Sequence, residues 1–210
     1  MVSVEVTRVL LAGYTGRNRE NVLRHIRELD EIGVAPPPRV PMIYPVQPEL
    51  LTTRSDIVVH SNQTSGEAEF YFVRSAVGTL VGVGSDHTDR QRESIDVAQS
   101  KALCSKVVSA QVWNYEDLAD HWDTLQLSSW VTVAGDRRLH QQGTFVELMS
   151  LQDLTAELRA AGYAELDGHV VFGGTLPMLN GFVSGERFEC RLDDPVLGRS
   201  LTCAYCISVE

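Results

Sequence analysis

The sequence is poor in cysteine and lacks any long apolar run. Only 4 of its 210 residues are cysteine, and Met1–Glu5 has neither the basic start nor the apolar stretch of a secretory signal. A disulfide-stapled secreted fold is therefore not expected. The apolar stretches are also too short to cross a bilayer. We expect a soluble, cytoplasmic protein whose thiols are reduced.

Two of the cysteines, Cys203 and Cys206, have the spacing of a zinc or redox motif. They lie in Leu201–Val209, a segment whose composition is typical of a strand. Residues three apart on a strand point to opposite faces. We therefore do not expect a metal there.

Basic residues are the second shortage. Lysine and arginine number 18 against 28 acidic residues, which gives a formal net charge of −10. A nucleic-acid backbone would be repelled everywhere except at a concentrated basic patch. The basic residues from Arg17 to Arg27 alternate with Glu20 and Glu28, which is typical of the solvated side of a helix. We expect neither a nucleic-acid partner nor a membrane partner.

The chain is 43% hydrophobic and 22% charged, which is ordinary for a globular protein and favours one domain over residues 1–210. No repeat or low-complexity segment interrupts it, and the order of elements predicts a mixed, β-rich α+β architecture. Strands are predicted at 4–11, 57–60, 68–73, 79–83, 130–134, 144–148 and within the last fifty residues, helices at 18–32, 95–103, after Asn114 and at 150–162, and an extended edge segment at 41–51.

The clearest chemical pattern is an alternation of acids with apolar residues. On a strand, Glu67 and Glu69 project from one face while Ala68 and Phe70 project from the other. Two converging carboxylates repel each other unless they are solvated or share a cation, and hard divalent ions prefer oxygen ligands. The alternative is a half-exposed strand that carries two solvated acids.

A polar turn, Gly84–Arg90, directly follows an apolar strand. Asp86 in this turn is a candidate third carboxylate, while Asp89 and Arg90 also suit the start of a helix. His87 is a candidate ligand, although an imidazole in such a run is more often a hydrogen-bonded structural group.

Two further patterns are weaker. His25 and Glu28 lie one turn apart on the predicted first helix, so the acid can orient the imidazole as a general base requires. A solvated surface pair is the commoner outcome. The glycine-rich turn Phe172–Pro177 presents backbone amides and the Thr175 hydroxyl to an anion, or is a plain structural turn.

Taken in order, these motifs resemble the fumarylacetoacetate hydrolase family, in particular a small branch of it. The order itself carries the resemblance, which covers nearly the whole chain through short motifs. The matching elements are His25 and Glu28, the proline-punctuated stretch Pro38–Tyr44, Glu67 and Glu69, Asp86 after a glycine, Lys101, Thr175, and the strand Gly181–Cys190. The usual Gly-Thr-Pro stands here as Gly174-Thr175-Leu176-Pro177, and Lys106 competes with Lys101 for the lysine role.

The resemblance implies a β-roll with a mixed sheet and peripheral helices, in which residues 1–55 form a strand–helix–extended segment packed on the roll of residues 56–210. It also implies a homodimer. The metal, Mg²⁺ or Mn²⁺, would be held by Glu67, Glu69 and Asp86. Substrate would be bound by Arg17, Tyr44, His87, Arg90, Gly174 and Thr175.

The implied reaction is metal-dependent hydrolysis of a C–C bond in a small 2-oxo acid of the acylpyruvate type. Lys101 would stabilise an enolate, Thr175 would hold the far oxygens, and His25, oriented by Glu28, would deprotonate the attacking water. Decarboxylation, hydration or tautomerisation uses the same metal-bound enolate. Two other hypotheses remain at this point: a non-catalytic protein that binds a metal or an oxo acid, and a β-rich structural protein without a metal.

Overall fold

The described residues form two large sheets, one two-stranded sheet and four α-helices. The computed structural model describes residues 4–31 and 36–210, apart from the side chains of His25, Glu28 and Leu29. The strands are β1 (Arg8–Gly13), β2 (Met42–Val46), β3 (Leu51–Thr52), β4 (Asp56–Val59), β5 (Thr64–Ser65), β6 (Ala68–Ser75), β7 (Gly78–Asp86), β8 (Thr88–Asp89), β9 (Lys106–Val108), β10 (Trp113–Asn114), β11 (Gln126–Val133), β12 (Asp136–Thr144), β13 (His169–Thr175), β14 (Arg187–Asp194) and β15 (Arg199–Val209). The helices are α1 (Arg19–Glu31), α2 (Arg90–Glu93), α3 (Val97–Ala102) and α4 (Leu151–Ala160), and 3-10 turns occur at Pro48–Leu50, Tyr115–Asp117, Ala119–Thr124 and Phe145–Glu147.

The larger sheet has the order β2-β1-β13-β6-β7-β9-β3, with β10 also paired to β7. The second sheet has the order β12-β11-β14-β15-β4, and β5 pairs with β8 beside it. Most pairs are antiparallel, while β1–β13, β3–β9 and β4–β15 are parallel. The β-rich α+β class predicted from the sequence is therefore confirmed.

Strand β6 shows how the sequence positions the site. Phe70 and Phe72 are fully buried in the core between the two sheets, whereas Tyr71 and Val73 lie in a second cluster on the other face. This alternation is the period of two that a strand imposes. Burying each phenylalanine contributes about 1.5–3 kcal/mol. The face that carries Tyr71 is also the face of Glu69.

The N-terminal part of the chain contributes strands β1 and β2 to the larger sheet. Strand β1 lies inside the larger sheet, between β2 and β13. Val9, Leu10 and Leu11 are all buried, so both faces of β1 are apolar, as an interior strand requires. The predicted extended edge segment at 41–51 is confirmed over Met42–Val46, because β2 is the last strand of that sheet, whereas Pro48–Leu50 forms a 3-10 turn.

The segment 144–148 is not a strand. Phe145–Glu147 forms a 3-10 turn, because the Thr144 hydroxyl and the Glu147 carboxylate cap each other's backbone amides. The predicted helix at 150–162 is confirmed as α4. The Ser150 hydroxyl caps it by accepting from the Asp153 amide, and Gly162 follows its end with φ of +96°.

Helix α1 agrees with the predicted first helix over Arg19–Glu31, and Ile32 lies outside the described residues. Val22 and Ile26 are buried on its inner face. Within the described part of the chain, the structure contains no helix with the length and apolar character needed to span a membrane.

Candidate metal centre

The β6–β7 hairpin brings together three carboxylates, Glu67, Glu69 and Asp86, which we call the acidic cluster. One oxygen from each lies within 4.8 Å of the other two. The register explains this, since Glu69 lies opposite Gly84 and the Asp86 amide donates to the Glu67 carbonyl at 3.0 Å. Glu69 and Asp86 are 3% and 0% exposed. The three predicted metal ligands therefore converge.

Gly84 is required at its place on β7. A Cβ there would stand 2.7 Å from the Val107 carbonyl oxygen on β9, which a real side chain does not tolerate. The absence of a side chain lets β9 approach β7 closely. This approach carries Lys106, at the start of β9, to Asp86.

Three basic groups surround the acidic cluster. The Lys101 ammonium donates to the Asp86 carboxylate and lies 3.6 Å from Glu67 Oε2. Lys106 Nζ lies 2.8 Å from the other oxygen of Asp86 and also donates to the His87 carbonyl at 2.7 Å. Arg90 Nη2 lies 3.3 Å from Glu67 Oε1. Both candidate lysines thus contact Asp86, but only Lys101 also reaches Glu67.

The pKa values of the carboxylates in the acidic cluster shift in opposite directions. Burial raises the pKa of Glu69 well above its usual range, and the negative charge of Asp86 raises it further. Burial also tends to raise the pKa of Asp86, but Lys101 and Lys106 outweigh it, so that pKa lies below its usual range. Burial tends to lower the pKa of Lys101, yet the surrounding carboxylates raise it above its usual value. Asp86 and Lys101 are therefore ionised. At Glu69, the nearby positive charge and the hydrogen bond from Gly174 do not offset the cost of burying a negative charge.

The residues fit a divalent cation. All three donors are carboxylate oxygens, the ligands that Mg²⁺ and Mn²⁺ prefer. Among the described residues, the only hydrogen-bond donor to Glu69 is the Gly174 amide at 2.7 Å, which is too little for a buried carboxylate. A bound cation would compensate the charge that burial leaves on Glu69.

One side of the cluster carries aromatic and ionic side chains. Lys101 Nζ lies 5.9 Å from the centre of the Tyr44 ring, and Tyr14 is close enough to Tyr44 for each tyrosine to affect the pKa of the other. Burial raises the pKa of both tyrosines, so their hydroxyls stay protonated. Arg90 Nη1 donates to Glu93 at 2.8 Å. Tyr44 and Arg90 were predicted at the site, whereas Tyr14 and Glu93 were not.

Gln141 is another residue that the sequence did not indicate. Its oxygen accepts from the Ala68 amide and the Ser129 hydroxyl, at 2.9 and 2.8 Å. Its nitrogen donates to the Thr175 hydroxyl at 2.6 Å and to the Leu176 carbonyl at 2.7 Å. Thr175 lies opposite Glu69 in the sheet and donates to the Ala68 carbonyl. Gln141 thus fixes the turn that presents Gly174 and Thr175 to the cluster.

Two predicted substrate ligands have other partners. His87 is fully buried, its Nδ1 lies 2.9 Å from the Tyr205 hydroxyl, and its Nε2 lies 2.9 Å from the Thr64 hydroxyl. Arg17 forms a double ion pair with Asp123 at 2.7 and 2.6 Å. Neither ring nitrogen of His87 is free for substrate, and both terminal nitrogens of Arg17 are engaged.

Two predicted pairs of residues remain: the general base His25 with its acid Glu28, and the cysteines Cys203 and Cys206. The backbones of His25 and Glu28 lie in α1, but their side chains lie outside the described residues, so their role stays a prediction. Cys203 is buried and Cys206 is exposed on β15, as expected for opposite faces of a strand.

Solved structures with the same fold have names from oxo-acid metabolism. A 2-keto-3-deoxyarabinonate dehydratase is 15% identical over 98% of this chain and 75% of its own, with a TM-score of 0.71. A 5-carboxymethyl-2-hydroxymuconate delta-isomerase from Mycobacterium smegmatis is 16% identical over 99% and 78%, with a TM-score of 0.67. A protein from Oleispira antarctica assigned as a fumarylacetoacetate isomerase/hydrolase is 15% identical over 99% and 100%, with a TM-score of 0.64. The chain therefore has the fumarylacetoacetate hydrolase-like fold that its motifs predict.

The sequence defines the family more narrowly. Residues 12–205 match the profile of the family described as "Protein of unknown function (DUF2848)", and the chain belongs to that family. No functionally curated protein matches the chain.

Proposed function

We propose that this chain is a metal-dependent enzyme that acts on a small 2-oxo acid. One observation carries the proposal: three carboxylates converge within 4.8 Å at a buried place where basic side chains also meet. Like charges that meet in a protein interior repel each other, and groups perturbed in this way cluster at functional sites. The names of the similar structures support the same substrate class.

The residues of the chain divide the chemistry. A divalent cation bound by the acidic cluster supplies a Lewis acid for the carbonyl and carboxylate oxygens of the 2-oxo acid. Lys101 adds a positive charge that stabilises negative charge as it develops on the substrate. The Arg90 guanidinium and the Tyr44 hydroxyl, on the same side of the cluster, bind and orient substrate oxygens.

For the reaction itself we propose hydrolytic cleavage of a C–C bond in an acylpyruvate-like acid. This finer proposal rests on His25 and Glu28, since a general base must deprotonate the attacking water. The second candidate is dehydration or isomerisation, which the names of two similar structures favour. The variant His25→Ala separates the two candidate reactions. Hydrolysis would be lost in it, whereas metal-dependent exchange of the C3 protons of pyruvate in D₂O would persist. NMR follows this exchange.

The first test is the thermal unfolding midpoint with Mg²⁺ or Mn²⁺, alone and with oxalate, which mimics a small oxo acid. Saturation at about a hundred times Kd stabilises by about 2.7 kcal/mol, or roughly 5–10 °C for a chain of this size. We expect that shift in the wild type and in Glu49→Ala, an exposed control, but not in Glu69→Ala.

The outcomes separate the hypotheses. Metal binding without any oxalate effect would favour a non-catalytic metal protein. No shift with either ligand would overturn the proposal. The family resemblance also supports a homodimer, which light scattering on the same sample measures.

A further inference from the structure

His140 is a buried histidine that the described chemistry does not use. It is the extra residue of a bulge in β12, because Ser129 pairs with Gln141 while Trp130 pairs with Leu139. Bulges re-aim a side chain and are frequent beside active sites. His140 is 1% exposed, and no described residue is a hydrogen-bond partner of its Nε2. A buried imidazole nitrogen without a partner is costly unless a ligand completes it.

One aromatic ring connects His140 with the residue that precedes Glu67. Its ring packs edge-to-face on Phe188, with the centroids 6.1 Å apart. The Phe188 ring in turn lies 2.7 Å from where a Cβ of Gly66 would stand, and Gly66 directly precedes Glu67. The charges of Arg90 and Glu67 both act on the pKa of His140, as their proximity requires.

One loop connects His140 with Arg90. The His140 carbonyl accepts from the Leu179 amide at 2.9 Å. Three residues further on, the Phe182 ring lies 4.2 Å from the guanidinium carbon of Arg90. The Arg90 side chain is 7% exposed, and its Nη2 lies 3.3 Å from Glu67 Oε1 but forms no hydrogen bond to any described residue. The loop from Leu179 to Phe182 therefore contacts both residues that carry a buried, incompletely hydrogen-bonded nitrogen atom.

The charges around His140 Nε2 and Arg90 Nη2 determine which kind of group these two nitrogen atoms can bind. Burial lowers the pKa of His140, and the Arg90 charge lowers it further, so the imidazole is neutral. Arg90 is already matched by Glu67 and Glu93. The acidic cluster and Glu93 together present four carboxylates to the three basic groups Arg90, Lys101 and Lys106. A second carboxylate on the substrate would meet no unmatched positive side chain there.

We infer that His140 is a specificity-determining residue whose Nε2 hydrogen-bonds a neutral oxygen, a hydroxyl or a carbonyl, in the remote part of a 2-oxo acid with one carboxylate. Arg90 Nη2 is the second contact to that part of the substrate. The inference rests on the proposed function and narrows its substrate class to singly charged, oxygen-rich acids.

The test compares three six-carbon 2-oxo acids in the presence of Mg²⁺, with binding measured by calorimetric competition against oxalate. 2-Keto-3-deoxygluconate carries hydroxyls, 2-oxohexanoate carries an apolar tail, and 2-oxoadipate carries a second carboxylate. The wild type should bind the hydroxylated acid about tenfold more tightly than either of the others, which is the usual contribution of one completed hydrogen bond.

The variants are His140→Leu and a matched control, His169→Leu. His169 Nδ1 also has no hydrogen-bond partner in the described part of the chain, but His169 lies at the far end of β13 from Thr175. His140→Leu should lose the tenfold preference and keep its affinity for oxalate, whereas His169→Leu should keep both. Unchanged preference in His140→Leu, or tighter binding of 2-oxoadipate by the wild type, would overturn the inference and leave the proposed function standing. Failure of oxalate to bind the wild type would overturn both. If His140→Leu does not fold, His140→Gln, which keeps a donor and an acceptor, should retain the preference, and its loss there would contradict the inference.

Discussion

Asp86 and His87 are consecutive in the chain and equally buried, yet their surroundings differ completely. His87 has a neutral hydroxyl on each ring nitrogen, from Thr64 and Tyr205, and Tyr205 is itself bonded to Ser85. Asp86 instead lies between two ammonium groups and close to two other carboxylates. Burial of a polar group alone therefore does not mark a site. What marks it is a set of like charges whose compensation within the chain is incomplete.

The largest effect should come from removing the charge of Asp86. Asp86→Asn leaves the buried Lys106 without its carboxylate and Lys101 with Glu67 alone. Breaking a buried ion pair in this way costs about 3–5 kcal/mol. Urea unfolding in the presence of a chelator measures the loss. Asp89→Asn is the control, because Asp89 caps α2 and asparagine caps a helix equally well. Similar losses in both variants would show that Asp86 is no different from a surface acid.

His87 should make the protein sensitive to acid. Burial lowers its pKa from 6.5 to about 3, so protonation below pH 6.5 favours the unfolded chain. Stability from the neutral imidazole is complete above pH 6.5 and falls by on the order of 3 kcal/mol towards pH 3. His87→Gln should flatten this part of the unfolding free energy measured against pH, while exposed His60→Gln should not. An unchanged slope in His87→Gln would contradict the assignment of a buried neutral imidazole.

Glu69 should show the opposite dependence. Its pKa is raised by burial, so in the metal-free protein ionisation destabilises the fold as the pH rises above about 4.5. Glu69→Gln should therefore raise the metal-free unfolding midpoint at pH 7 by about 2–4 °C, change it little at pH 4, and abolish the shift on adding Mg²⁺. A lower midpoint at pH 7 without metal would show that Glu69 is already compensated within the chain.

The smallest effect is expected at the exposed cysteine. Cys206→Ser should change the unfolding free energy by less than about 0.5 kcal/mol, as for most surface substitutions. Zn²⁺ should not raise the unfolding midpoint of the wild type by binding to Cys206, so the wild type and Cys206→Ser should respond to Zn²⁺ in the same way. A zinc-dependent shift that disappears in Cys206→Ser would show that Cys206 binds zinc, contrary to what its position on the strand predicts.

The acidic cluster could be predicted because its geometry is local. Alternation along β6 places Glu67 and Glu69 on one face, and a hairpin partner ending at Asp86 is a short-range arrangement. The capping box at Thr144 and Glu147 is also a local signal, a threonine followed three residues later by a glutamate. The apolar residues Phe145 and Val146 between them favour a strand, so two local signals conflict in this segment.

The remaining residues of the site had no local signal. Gln141 contacts Ala68 and Thr175 only because β12, a strand of the second sheet, packs against the larger sheet. The bulge that sets His140 apart is likewise a property of strand pairing. Tyr14 follows β1, which β13 separates from β6. Glu93 is identified by its ion pair with Arg90, which depends on the position of a helix of four residues. Pairing between distant strands is not encoded in short motifs, so these contacts required the structure.

The Tyr205 hydroxyl that completes His87 has a consequence for protein synthesis. The hairpin with the acidic cluster ends at residue 86, but its partner on β15 is added 119 residues later. At about 5–20 residues per second, the nascent chain carries this unfinished charged hairpin for roughly 6 to 24 s. The Gly174 amide is missing for the first part of that interval, and the Tyr205 hydroxyl is missing until its end. The site can therefore be completed only after β15 has been synthesised.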